Sequence, residues 1–149
     1  MNILKQPKLN KELVNLPFKV KDKKLYVNYF EEGVQAGFPS PAQDFEETPL
    51  SLDEKYLQHP ESTYLIKVVG DSMHPTLQMG DILIIKSDVG VQNEDIAIVS
   101  VNQTDFTVKR IDKTNNQLIA DNPDFPNLNL QEDDTLICLG VVKQLIRDL

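Results

Sequence analysis

Short apolar runs broken by turn residues dominate the second half of the chain. Residues 64–69, 82–86, 95–101, 106–111, 117–120 and 135–146 are each rich in aliphatic, β-branched or aromatic side chains. Gly80-Asp81, Gly90, residues 102–105 and Asn115-Asn116 separate them, and these are residue types that turn the chain. Several short strands with no regular helix between them predict a mainly β, antiparallel body. One short helix precedes it. Ser51 and Glu54 have the spacing of a capping box, and the helix is expected to run to about Gln58, ahead of Pro60. Leu52 and Tyr56 then share one face. Further upstream, residues 25–30 (Leu-Tyr-Val-Asn-Tyr-Phe) are too apolar to prefer water and suit an extended strand. Residues 34–41 carry two prolines in three positions, which excludes helix and favours an extended chain.

Composition fits one globular domain of 149 residues, with 40% apolar and 26% charged residues. Charge divides the chain more sharply than hydropathy does. Residues 1–36 hold seven Lys against four acidic residues, a balance of +3, whereas residues 37–149 hold eight Lys and Arg against nineteen, a balance of −11. The net charge of −8 excludes a general basic nucleic-acid surface, so any link to DNA is expected to run through a protein partner. The arm reads as a segment that docks on its own body or on a second copy. A single cysteine, Cys138, allows no disulfide within the chain and is expected to pack as a small hydrophobe in its apolar run. Lys5, Lys8 and Lys11 interrupt any secretory signal. The longest apolar run, residues 136–142, is far short of the ~20 residues of a membrane helix, so a cytoplasmic protein without membrane contact is expected.

Candidate chemistry begins at Gly70-Asp71-Ser72-Met73, followed by His74-Pro75. A flexible glycine at the end of a strand, then a serine, can present a hydroxyl at a sheet rim. Gly-Asp-Ser also occurs in ordinary turns, because Asp and Ser bond their own backbone there. A serine nucleophile needs a base. His74 is only two residues away in a turn and His59 sits at a helix end, so both read as structural or solvent-facing. Lys109, in the middle of an apolar strand, is the other candidate, because burial lowers an amine's pKa. Alternation leaves its face open, since Lys109 shares a side with both Thr107 and Ile111. Ala36–Gly37 is the least hindered peptide bond of the extended segment, which is either a strand for a protease cleft or a plain linker. One Cys and two scattered His make no metal site, the glycines make no phosphate loop, and no cofactor is expected.

From about Val34 to the C-terminus the chain resembles the LexA/UmuD self-cleaving serine peptidases. Four segments carry the resemblance in order and spacing: residues 35–41 (Gln-Ala-Gly-Phe-Pro-Ser-Pro), Gly70-Asp71-Ser72-Met73, Gly80-Asp81-Ile82-Leu83 and Phe106-Thr107-Val108-Lys109-Arg110. It implies Ser72 as nucleophile, Lys109 as general base, Ala36–Gly37 as the scissile bond and backbone N–H groups beside Ser72 as the oxyanion hole. It also implies a 1–36 arm removed by self-cleavage and a 37–149 β-rich peptidase and dimerisation domain. The implied partners are a second copy in a homodimer, the RecA–DNA filament that stimulates cleavage, and a Y-family translesion polymerase of the UmuC type. The 36 residues before Gly37 are too few for the helix-turn-helix domain of LexA-type repressors, so direct DNA binding is not carried over. The arm is also longer than that of the UmuD branch. The alternatives are a dimeric, non-cleaving binding module that regulates a polymerase, a LexA-like transcriptional regulator, and a signal-peptidase-like enzyme, against which the missing anchor counts.

Overall fold

The computed structural model describes residues 7–21, 27–30 and 47–149. In chain order the strands are β1 (Leu13–Leu16), β2 (Val27–Phe30), β3 (Glu47–Leu50), β4 (Thr63–Val68), β5 (Ile82–Lys86), β6 (Ile96–Val101), β7 (Thr107–Asp112), β8 (Gln117–Ile119), β9 (Leu128–Asn129) and β10 (Leu136–Ile146). A single α-helix, α1 (Leu52–Tyr56), and a 3₁₀ turn at Pro60–Ser62 complete the described elements. The chain forms two compact units: Met1–Phe18 with Glu61–Leu149, and Lys19–Pro60.

The first unit is an eight-stranded sheet in the order β1-β4-β5-β10-β6-β7-β8-β9, with every pairing antiparallel. β10 is its spine. Its C-terminal half pairs with β5 and its N-terminal half with β6, and the register shifts between Cys138 and Gly140 and again between Val142 and Gln144. Such shifts increase local twist and let one strand bend between two partners. Gly140 is required at this bend, since a Cβ there would press on the Lys86 carbonyl. The sheet is curled, and alternate residues of β6 feed two cores. Ile98 joins Leu13, Ile66, Leu83, Ile85 and Val108, whereas Ala97 and Val99 join Ile111 and Leu118. Residues 97–100 are therefore all buried, as expected of a strand covered on both faces.

The second unit contains the antiparallel pair β2–β3 and α1. Ser51 caps the helix as the capping box predicts, its Oγ accepting the Glu54 N–H at 3.5 Å. The helix stops at Tyr56, two residues earlier than the sequence suggests, because Leu57 leaves the helical region at φ −122° and ψ 43°.

The mainly β fold with one short helix agrees with the sequence reading, and all six strands expected between residues 64 and 146 form within a residue or so of their expected bounds. The expected strand at 25–30 forms over Val27–Phe30. β1, β3 and β9 were not anticipated. Cys138 is a correction: it is exposed, not packed in a core. It stands beside exposed Leu136 and Ile137 where β10 leaves both apolar clusters, and its Sγ–H turns back to the Gly140 carbonyl at 3.5 Å. The extended segment 34–41, with Ala36 and Gly37, lies outside the described residues.

Candidate active site

β4 ends at Val68 and the chain turns at once through Gly70, Asp71 and Ser72. Two apolar side chains pin this turn to the core: Met73 and Leu77 are each 1% exposed. The Leu77 N–H donates to the Met73 carbonyl at 2.9 Å and the His74 N–H to the Asp71 carbonyl at 3.1 Å, so the turn is closed from within. The loop after β8 holds it from outside. The Asn122 N–H donates to the Ser72 carbonyl at 3.0 Å, and Asn122 Nδ2 donates to the Asp71 carbonyl at 2.9 Å.

A charged link then ties the turn to β7. Arg110 Nε and Nη2 donate to Asp121 at 2.9 and 2.6 Å, and Thr76 Oγ1 donates to the same carboxylate at 2.6 Å. The Arg110 hydrogen bonds, helped by that of Thr76, hold the Asp121 carboxyl below the usual carboxylate range against the opposing effect of burial. Arg110 follows Lys109 directly, so the strand that carries the candidate base is fastened to the turn that carries the candidate nucleophile.

Lys109 lies in the middle of β7, opposite the fully buried Ala97 on β6. It is half-buried, and that burial lowers its amine from the usual lysine value, while the charge of Glu12 pushes in the opposite direction. Ser72 is 2% exposed, and its Oγ–H donates to Glu12 Oε2 at 2.8 Å. Both predicted site residues therefore border one carboxylate. Among the described residues, Ser72 and Lys109 form no hydrogen bond with each other. His74 and His59 are exposed, as expected, and neither bonds Ser72. The N–H groups of Ser72 and Met73 have no protein acceptor among the described residues.

Glu12 was missed in the sequence. The Val69 and Gly70 N–H groups donate to its carbonyl at 2.7 and 3.2 Å, and Asn10 Oδ1 accepts its N–H at 3.0 Å. A Cβ on Gly70 would collide with the Glu12 side chain, which gives that glycine a second role beside turning the chain. Only the Asn10 turn and the short apolar stretch before Pro17 hint at this segment locally. Among the described residues, no group of three or more His, Cys, Asp or Glu could hold a metal, and no helix is long and apolar enough to cross a membrane.

A buried hydroxyl on a braced turn and a half-buried amine with a depressed pKa, both bordering the Glu12 carboxylate, are groups suited to nucleophilic chemistry. Similar proteins agree with that class. Residues 28–143 match the family described as Peptidase S24-like. Protein MucA of Salmonella typhimurium is 32% identical over 119 residues, covering 78% of this chain and 81% of MucA. Protein SamA of the same species is 35% identical over 119 residues, covering 78% of this chain and 82% of SamA. The LexA repressor of Acidithiobacillus ferrooxidans is 36% identical over 120 residues, covering 76% of this chain but only 58% of the repressor. The chain belongs to the Peptidase S24-like family, that of the LexA/UmuD self-cleaving serine peptidases.

Proposed function

We propose that this protein is a Ser–Lys self-cleaving peptidase of the SOS DNA-damage response that cuts its own Ala36–Gly37 bond. In the reaction, neutral Lys109 takes the Ser72 hydroxyl proton as Oγ attacks the Ala36 carbonyl carbon. The N–H groups beside Ser72 receive the developing oxyanion. The C–N bond breaks, the Gly37 amine leaves with the proton from Lys109, and water hydrolyses the Ala36 ester to free Ser72. RecA–DNA filaments stimulate the cut. The 37–149 product then acts, as a homodimer in the cytoplasm, as accessory subunit of a UmuC-type Y-family polymerase. It makes no sequence-specific DNA contact of its own.

One observation carries this reading: a buried serine on a turn braced to the strand that bears a half-buried lysine, whose amine burial has lowered. Exposed Leu136, Ile137, Leu145 and Ile146 on β10 support pairing with a second copy. A second reading, a non-cleaving dimeric binding module, has the Ser72–Glu12 hydrogen bond in its favour, since the hydroxyl is committed elsewhere. Mass spectrometry of the purified chain, incubated with and without RecA filaments on single-stranded DNA, separates the two. The peptidase reading expects a 36-residue arm and a body starting at Gly37, faster with filaments. An uncut chain, or a main cut elsewhere, favours the module.

A further inference from the structure

We propose that the groove between the end of β4 and the start of β7 is a strand-binding site whose resident ligand is the chain's own residues 8–16, an internal competitor of the scissile segment. The proposal rests on Ser72 being the nucleophile.

The segment is attached at both ends. At one end the Phe106 N–H donates to the Lys8 carbonyl at 2.9 Å, the Asn10 N–H donates to the Phe106 carbonyl at 2.8 Å, and Leu9 and Phe106 form a parallel bridge. At the other end β1 pairs with β4, from Leu13 opposite Val68 to Leu16 opposite Leu65. In the sheet order these two attachment points are four strands apart, with β5, β10 and β6 between β4 and β7. The curl of the sheet brings them within reach of one nine-residue stretch. Leu13 is 4% exposed and belongs to the main core, so the segment is packed into the unit and not draped over it. The Lys8–Asp105 ion pair at its outer end is exposed and adds little.

Occupancy excludes the substrate in two ways. A peptidase cleft holds an extended substrate as an added strand, and that needs a free strand edge. β4 has none: β5 pairs along one side and β1 along the other. Glu12 blocks the chemistry as well. The Ser72 hydroxyl hydrogen is directed to Glu12 Oε2 and so is not offered to Lys109. The same carboxylate charge favours the ammonium form of Lys109, which cannot accept a proton. Gly70 is the seat on the body's side, since only a residue without a Cβ leaves room for Glu12. Residues 8–16 lie within the 1–36 fragment that cleavage releases. After the cut the emptied groove is free to take residues 8–16 back, so the arm is retained as a noncovalent product until it exchanges.

The test is unstimulated self-cleavage of the full chain at pH 10, comparing wild type with Glu12→Ala and Gly70→Ala. The two variants unseat the segment from opposite sides. Loss of one hydrogen bond to a charged acceptor corresponds to a cleavage rate about tenfold higher or more. Acceleration in either variant supports the proposal. Rates at or below wild type in both, including no cut at all, overturn it. A synthetic peptide spanning residues 7–18 must then slow the accelerated variant, and no slowing overturns the competitor role. The variant Glu12→Ala with Ser72→Ala keeps the two readings apart. If it still cuts, the nucleophile is wrong. If it is dead while Glu12→Ala alone brings no gain, the nucleophile stands and the competitor role of residues 8–16 falls.

Discussion

Two acidic residues in the same unit are handled in opposite ways, and the contrast separates scaffold from chemistry. Asp81, directly after the positive-φ Gly80, is 1% exposed and fully bonded. Arg147 Nε donates to its Oδ1 at 2.7 Å, Arg147 Nη2 to its Oδ2 at 2.7 Å, and the Gln78 N–H to its Oδ2 at 2.8 Å. This bidentate pair joins the residue before β5 to the residue after β10 and closes the end of that strand pair beyond Ile82 and Ile146. Glu12 receives one hydroxyl hydrogen bond and biases Lys109 without a salt bridge to it among the described residues. A fully bonded buried pair resists change, because breaking it strands a charge. A partly bonded carboxylate next to a hydroxyl and a depressed amine is free to exchange partners, as a reacting site requires.

The largest effect that can break this contrast is loss of the nucleophile. Ser72→Ala is expected to lower self-cleavage by roughly 10⁶-fold, to no detectable product, the scale of removing a serine nucleophile. Its melting temperature should stay close to wild type, because the turn is pinned by Met73, Leu77 and Asn122 and not by the hydroxyl. Cleavage at the wild-type rate, followed by mass spectrometry, would remove Ser72 from the chemistry.

Next in size is the dependence on Lys109. Burial lowers its pKa, but the active form is still the neutral one. Unstimulated cleavage should therefore be slow at pH 7, rise tenfold per pH unit on the alkaline side and level off above the lysine pKa. Lys109→Arg, which stays protonated throughout, should be inactive at every pH from 6 to 11. His74→Ala should cut within a few-fold of wild type, since His74 is exposed and bonds no Ser72 atom. A flat wild-type profile, or a His74→Ala loss above ~100-fold, would move the base away from Lys109.

On the scaffold side, Arg147→Ala leaves the Asp81 carboxylate buried beside a single backbone donor and should lower the melting temperature by on the order of 5 °C at pH 7. The folded-state pKa of Asp81 is depressed, chiefly by the Arg147 hydrogen bond. Its contribution is thus present above the unfolded carboxylate value near ~4 and is lost as pH falls through the lower folded value. The gap between wild type and Arg147→Ala should narrow in acid. An equal gap at pH 7 and pH 2.5, by calorimetry, would deny the pair its role.

These two regions were not equally legible in the sequence. The strands from residue 64 onward were readable because apolar runs and turn residues alternate cleanly there. Gly80-Asp81 was readable as a motif, and the structure gives it a structural meaning through Arg147. The face of Lys109 was undecidable from alternation because β7 feeds both cores, Val108 into one and Ile111 into the other. β3 contains Pro49, β9 is two residues long, and β1 is four residues that gain stability only from β4, so none carries a local signal. Glu12 was invisible for the same reason. Its partner Ser72 is sixty residues away, and the Asn10 turn and short apolar stretch around it do not point to that partner.

The smallest effect, and the sharpest discriminator between the two acids, is a displacement of the pH profile. Glu12→Gln keeps the size and an acceptor for the Ser72 hydroxyl but removes the charge. Glu12 raises the Lys109 pKa against the lowering by burial. Without that charge the ammonium is less favoured, so Lys109 becomes neutral at lower pH. The alkaline limb of the cleavage profile should move towards neutrality, with the plateau rate changed less than in Glu12→Ala. Asp81→Asn changes a carboxylate of the same unit that is bonded to Arg147, so its profile should stay where the wild type's lies. A profile that moves to higher pH in Glu12→Gln, or moves equally in Asp81→Asn, would mean that Glu12 does not act on the lysine. The contrast between the two regions would then be one of hydrogen bonding alone.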